Sequence, residues 1–105
     1  MKNQDSFLEE IKRIVLQRDA TAKIYLYGSR SRGTSKKESD WDLLILLNRE
    51  TITAEIEEDI TFSLYDLEFD TGEVISPMVY SEKEWNSKYN ITPFYHNVMK
   101  EGILL

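Results

Sequence analysis

The chain contains no cysteine, so neither a disulfide framework nor a thiolate metal centre can hold it together. It has one histidine, His96, and a lone imidazole cannot build a zinc site. No apolar run approaches the roughly 18 residues that cross a bilayer. The opening stretch, MKNQDSFLEEIKRIV, is too charged for a secretory signal peptide, and the expectation is a soluble cytoplasmic protein. Positive charge is also in short supply. Lys and Arg number 13 against 19 Asp and Glu, giving a net charge of −6 and a pI near 4.8. That balance argues against direct, non-specific binding to nucleic acid, which needs a basic footprint. Repeats, low-complexity tracts and linkers are absent. What is present is a 105-residue chain with 41% hydrophobic content, enough for a modest core. It is expected to form a single domain over 1–105.

The apolar spacing of Phe7, Leu8, Ile11, Ile14 and Val15 predicts a helix over 6–18, with Ser6 and Glu9 as a capping box. Residues 23–27 read as a short strand ending at Gly28, and 40–47 as a second strand. The unbroken run Leu43 to Leu47 suits a strand covered on both faces. Thr53 caps a second helix whose stripe is Ile56, Ile60, Leu64 and Leu67, and Gly72 stops it. Residues 73–80 read as a third strand, placed at a sheet edge by Pro77. Ser81 caps a short turn of helix, and Thr92-Pro93 opens a last helix that ends at Gly102. The order α-β-β-α-β-α predicts an α/β (α+β) fold, a small mixed sheet with packed helices.

The most informative stretch is LYGSRSRGTSKKESDWDLLILL. Gly28-Ser29 closes one apolar strand, and ten residues later Asp40-Trp41-Asp42 opens the next. Strand side chains alternate, so Asp40 and Asp42 share a face, about 7 Å apart at Cβ. Like charges held side by side repel, a cost relieved by a divalent cation that takes oxygen ligands. Asp40 and Asp42 are therefore the candidate metal-ligating and catalytic pair. Two divalent metals about 4 Å apart can clamp the attacking and leaving oxygens of a phosphoryl or nucleotidyl transfer. The Gly28-Ser29 turn offers backbone N–H groups and a hydroxyl to a triphosphate. Arg30, Arg32, Lys36 and Lys37 add four positive charges, and Arg30, beside the turn, is the expected nucleotide contact. Trp41, between the acids, is expected in the core. The Ile91–Tyr95 cluster and the Ile103-Leu104-Leu105 tail suit either packing or a partner surface.

The spacing Gly28-Ser29-x10-Asp40-x-Asp42 resembles the signature of the polymerase-β-like nucleotidyltransferase superfamily. The short length and the Gly28–Gly33 loop are similar to its minimal nucleotidyltransferase branch. The resemblance is sharpest over 24–47 and extends, less specifically, over nearly the whole chain. It implies a nucleotidyltransferase fold, with Asp40 and Asp42 holding Mg²⁺ (two ions) and Gly28 and Ser29 contacting ATP or another nucleoside triphosphate. An acceptor hydroxyl would attack the α-phosphate and pyrophosphate would leave. Many minimal members resemble antitoxins that silence an all-helical HEPN toxin by transferring AMP to it, often to a tyrosine. The sequence departs from the family at one place. The usual third carboxylate belongs on the third strand, and the aligned position falls at Ser76 or Pro77, with Glu73 too early to substitute. General-base help is worth about 10²–10⁴-fold, so a catalytically weak protein that neutralises its partner by binding is an alternative. A small-molecule (antibiotic) transferase is a further one, disfavoured by the lack of an acceptor domain.

Overall fold

The structure, a computed structural model, describes residues 4–33 and 39–105, with the side chains of residues 4 and 5 left out. The elements in chain order are α1 (Gln4–Arg18), β1 (Lys23–Tyr27), α2 (Ser29–Arg32), β2 (Trp41–Leu47), α3 (Ala54–Thr71), β3 (Ile75–Ser81), α4 (Glu82–Ser87), α5 (Pro93–Glu101) and β4 (Ile103–Leu104). The sheet is mixed and four-stranded, in the order β3-β2-β1-β4. β2 pairs antiparallel with β1 and parallel with β3, and β4 pairs antiparallel with β1. The parallel pair requires a crossover, which α3 supplies. Pro77 lies on the edge strand β3, where a missing N–H costs no ladder bond with a further strand.

The two faces of the sheet are covered unequally. Trp41, Leu43, Ile45 and Leu47 alternate onto one face with Ile24, Leu26, Ile75 and Val79. There they meet Phe7, Ile11 and Val15 of α1 and Ile60, Leu64 and Leu67 of α3, all buried. On the other face Leu44 and Leu46 are buried under Trp85 of α4 and Val98 of α5, with Tyr25, Tyr27, Tyr80, Tyr89, Phe94 and Tyr95 packed around them. Both short helices thus sit over the middle and far rows of that face. The row containing Asp42 is left partly open, with Asp42 and Ser76 only half-buried.

Local chemistry explains most boundaries. Thr53, Ser81 and Thr92 each accept a hydrogen bond from the backbone N–H three residues on, fixing the starts of α3, α4 and α5. Gly72 stops α3 in the left-handed conformation, its N–H donating to Glu68 O. α1 begins earlier than the Ser6 capping box suggests, so Ser6 lies inside the helix. Its C-terminal end is held by Asp19, whose carboxylate accepts from Thr21 N (2.9 Å), Thr21 Oγ (2.5 Å) and Arg49 Nε (2.9 Å). Burial works against that charge, but the bonds from Thr21 and Arg49 outweigh it and hold the Asp19 pKa below its ordinary value. The Ile103-Leu104 segment forms an edge strand on β1. Among the described residues no helix is long and apolar enough to cross a membrane.

Candidate active site

The candidate site lies where β1 ends and β2 begins. β1 is rich in aromatic and aliphatic side chains and terminates at Gly28, whose backbone sits at φ 77°, ψ −157°. That combination is essentially open only to glycine. A second reason for glycine is space. A Cβ placed there would overlap Asp42 Oδ2, so the bare backbone of Gly28 forms the wall against which the Asp42 carboxylate packs. Directly after it, α2 turns back, with the N–H groups of Ser31 and Arg32 both donating to Gly28 O at 3.1 and 3.2 Å. Those two amides are thereby occupied, and the Ser29 amide and hydroxyl lie at the start of the turn, beside the glycine that walls the carboxylate.

Register aligns the rest. Asp42 pairs with Tyr27 on β1 and with Ser76 on β3, so one row across the sheet reads Ser76, Asp42, Tyr27. Paired residues share a face, and Asp40 joins this one by alternation. The contact is direct: Ser76 Oγ donates to Asp40 Oδ2 at 3.2 Å. Asp40 is exposed and Asp42 half-buried. Burial pushes the Asp42 pKa up, the neighbouring Asp40 charge pushes it further, and Arg32 opposes both. Tyr27 is pushed up to about 12 by burial and by the charge of Asp42, with a contribution from Tyr80. The site therefore concentrates negative charge, which among the described residues Arg32 offsets in part.

The segment that delivers Asp40 is clamped from the opposite face. Trp41 is buried in the core, as its position between the acids predicts, and packs on Phe7 with ring centroids 4.7 Å apart. Its Nε1 donates to Glu73 Oε1 at 2.7 Å. The Arg30 guanidinium lies over the Trp41 ring, 4.0 Å from the centroid. It donates to Ser39 O at 2.8 and 3.3 Å and stands 3.6 Å from Glu73 Oε1. Arg30, expected at the nucleotide, thus directs its donors to the strand entrance, and its side chain is only 10% exposed. Arg32 is the arginine whose field reaches Asp42, although it also pairs with Glu101 of α5 at 3.2 Å. Lys36 and Lys37 lie outside the described residues.

Sequence spacing points to Asp40, Asp42, Gly28 and Ser29, and the structure brings them together. Spacing alone gives no sign of the Arg30–Trp41–Glu73 clamp, because nothing local connects residue 73 with residue 41. The donor set consists of two carboxylates and one hydroxyl, and among the described residues no group of three or more His, Cys, Asp or Glu is placed to hold a metal. Two carboxylates suit Mg²⁺ nonetheless, since that ion keeps several waters and takes its remaining oxygens from substrate phosphates. Glu73, the acid that leads into β3, is engaged with Trp41 and Arg30 on the other face.

Comparison with known proteins bears on the family and the fold. A family model described as "Nucleotidyltransferase domain" matches residues 8–104. A Methanocaldococcus jannaschii protein provisionally named a protein adenylyltransferase is 37% identical over 84 residues, covering 79% of this chain and 76% of that protein. A solved structure described as a provisionally assigned minimal nucleotidyltransferase superposes with a TM-score of 0.63 at 20% identity, over 99% of this chain and 97% of that one. A toxin–antitoxin crystal structure with AMP-PNP also superposes with a TM-score of 0.63, at 17% identity, over 97% of this chain and 72% of that chain.

Proposed function

The chain belongs to the nucleotidyltransferase domain family and is an enzyme of that class, and from this premise we propose that it transfers AMP from ATP to a hydroxyl on a partner protein. The observation that carries the reading is the open row of the sheet, where Asp42 sits between the Gly28-Ser29 turn and Ser76 with Asp40 above it. In this reading Asp40 and Asp42 hold Mg²⁺, two ions when the triphosphate is bound. Bound there, Mg²⁺ would neutralise charge on the α-phosphate and lower the pKa of an attacking hydroxyl. The Gly28-Ser29 turn takes the β- and γ-phosphates, and Ser29 adds its hydroxyl. Arg30 acts as a positioning residue that ties the Asp40 segment to the core, and Arg32 offsets part of the acidic field. The half-covered sheet face leaves the acceptor to be brought from outside.

The partner we propose is a HEPN-type helical toxin, with this chain, as a single cytoplasmic domain, acting as its antitoxin. The likeness to solved toxin–antitoxin structures supports that role. The second reading, neutralisation by binding alone, is favoured by one observation: β3 carries Ser76, not a carboxylate, beside Asp42. The experiment that separates them incubates the chain with α-labelled ATP, Mg²⁺ and the neighbouring gene product. Label on that protein, lost with Asp42→Asn, is the expected result. A partner that is bound and silenced without label overturns the transferase reading in favour of the second.

A further inference from the structure

The same row of residues has a directional property. In sheet order it runs from Ser76 on β3 through Asp42 on β2 to the end of β1 and the Gly28-Ser29 turn. Neighbouring strands are about 4.8 Å apart, so the Ser76 hydroxyl and the turn flank the carboxylates at a separation of roughly 10 Å. An in-line displacement at phosphorus needs the attacking oxygen on one side and the leaving group on the other. A triphosphate whose terminal phosphates lie on the turn would direct its leaving group toward β1. The opposite side of its α-phosphorus then faces β3, where Ser76 stands. Ser76 Oγ already donates its proton to Asp40 Oδ2 at 3.2 Å, which turns its lone pairs away from that carboxylate. The strand fixes it in place between buried Ile75 and Pro77, and the side chain is half-exposed on the open face. Tyr27, the other hydroxyl in the row, belongs to β1 and so stands on the leaving-group side.

We propose that Ser76 is an internal acceptor: the chain transfers a nucleoside monophosphate from a nucleoside triphosphate onto its own Ser76 Oγ. The proposal rests on the transferase reading above. A bond forms between Ser76 Oγ and the α-phosphorus, and the bond from that phosphorus to the β-phosphate oxygen breaks. Pyrophosphate leaves with the bonding electrons, and the serine proton is released to solvent. The product is a phosphodiester that fills the row, so the reaction stops after one turnover per chain and closes the site to further nucleotide.

The test incubates the full chain, alone and in parallel with a supplied acceptor protein, with α-labelled ATP and Mg²⁺, followed by peptide mapping. The expected result is a nucleotide adduct on Ser76, never exceeding one per chain, lost with Ser76→Ala and with Asp42→Asn and kept with Ser76→Thr. Chain isolated with the adduct should bind a triphosphate analogue with a methylene α–β bridge at least tenfold more weakly than unmodified chain. Label on a supplied acceptor protein but none on the chain overturns the internal-acceptor proposal and leaves the transferase reading standing. Label on the chain at any residue other than Ser76 overturns it as well. No label on either protein overturns both. Because the mapping is done on wild-type chain, the result does not depend on whether Ser76→Ala folds.

Discussion

Replacing Gly28 with alanine tests whether the Asp42 carboxylate is held in place by bare backbone. Two costs can be worked from the structure. The conformation at φ 77°, ψ −157° is one that side chains avoid, which costs about 1–3 kcal/mol. The added Cβ would also overlap Asp42 Oδ2. Asp42 can relieve that overlap by rotating its short side chain, so the second cost falls on function more than on stability. Displacing a reacting group by about 1 Å can cost on the order of 10²-fold in rate. The expected outcome is a loss of about 1–3 kcal/mol in urea melts together with a loss of about 100-fold in nucleotidyl transfer and clearly weaker Mn²⁺ or Mg²⁺ binding. Gly72→Ala is the matched control. Gly72 has nearly the same φ, 76°, at the end of α3, but a Cβ there would meet nothing within 4 Å. It should lose only about 1 kcal/mol, the strain of one left-handed alanine, and keep its cation affinity. If the two variants lose cation binding equally, the carboxylate is not positioned by the glycine and the reasoning fails.

Other consequences are open to the same methods. Arg30→Ala should cost about 1–3 kcal/mol by removing the stack on Trp41 and the bonds to Ser39 O, and should weaken cation binding through Asp40; Arg30→Lys should not rescue it, because an ammonium lacks the planar fork. Asp19→Ala should destabilise the fold by about 2 kcal/mol at neutral pH, since three hydrogen bonds converge on a nearly buried carboxylate. The Asp19 pKa is lowered in the folded state, so its contribution is fully present above the ordinary carboxylate value of 3.8 and is lost as pH falls through the lower folded value; acid titrations of wild type and variant should converge there. Asp42 has the opposite sign. Its pKa is raised, so without cation stability declines as pH climbs from 3.8 through the folded value, and Asp42→Asn should abolish transfer while melting at a higher temperature than wild type at neutral pH.

Much of this architecture is legible in the sequence because its signals are local. The stripe Ile60, Leu64, Leu67 and the caps Thr53, Ser81 and Thr92 each act within a few residues, and each appears in the structure where the sequence places it. Pro77 marks an edge strand for a backbone reason that does not depend on neighbours. The alternation around Trp41 places the two acids on one face and the indole on the other. What stays hidden depends on tertiary pairing. Ile103-Leu104 has no pattern that distinguishes a two-residue strand from an apolar tail, and only β1 makes it one. The partners of Arg30 lie at Ser39, Trp41 and Glu73, and the last is too far along the chain for proximity to suggest a link. The stack on Trp41 and the bonds to Ser39 O depend on the fold, and the charge of that guanidinium alone does not foretell them. The start of α1 escapes for a simpler reason: Ser6 fits a capping box, yet the helix continues upstream of it.

The crossover through α3 also governs when the site comes into being. β1, α2 and β2 follow one another closely, and their antiparallel pairing is a short-range event. Ser76 reaches its place only after the whole of α3 has formed and docked, because β3 runs parallel to β2. Loop closure of that kind is slow compared with hairpin formation. A chain still emerging from the ribosome therefore displays both aspartates and the glycine turn well before it owns a third wall.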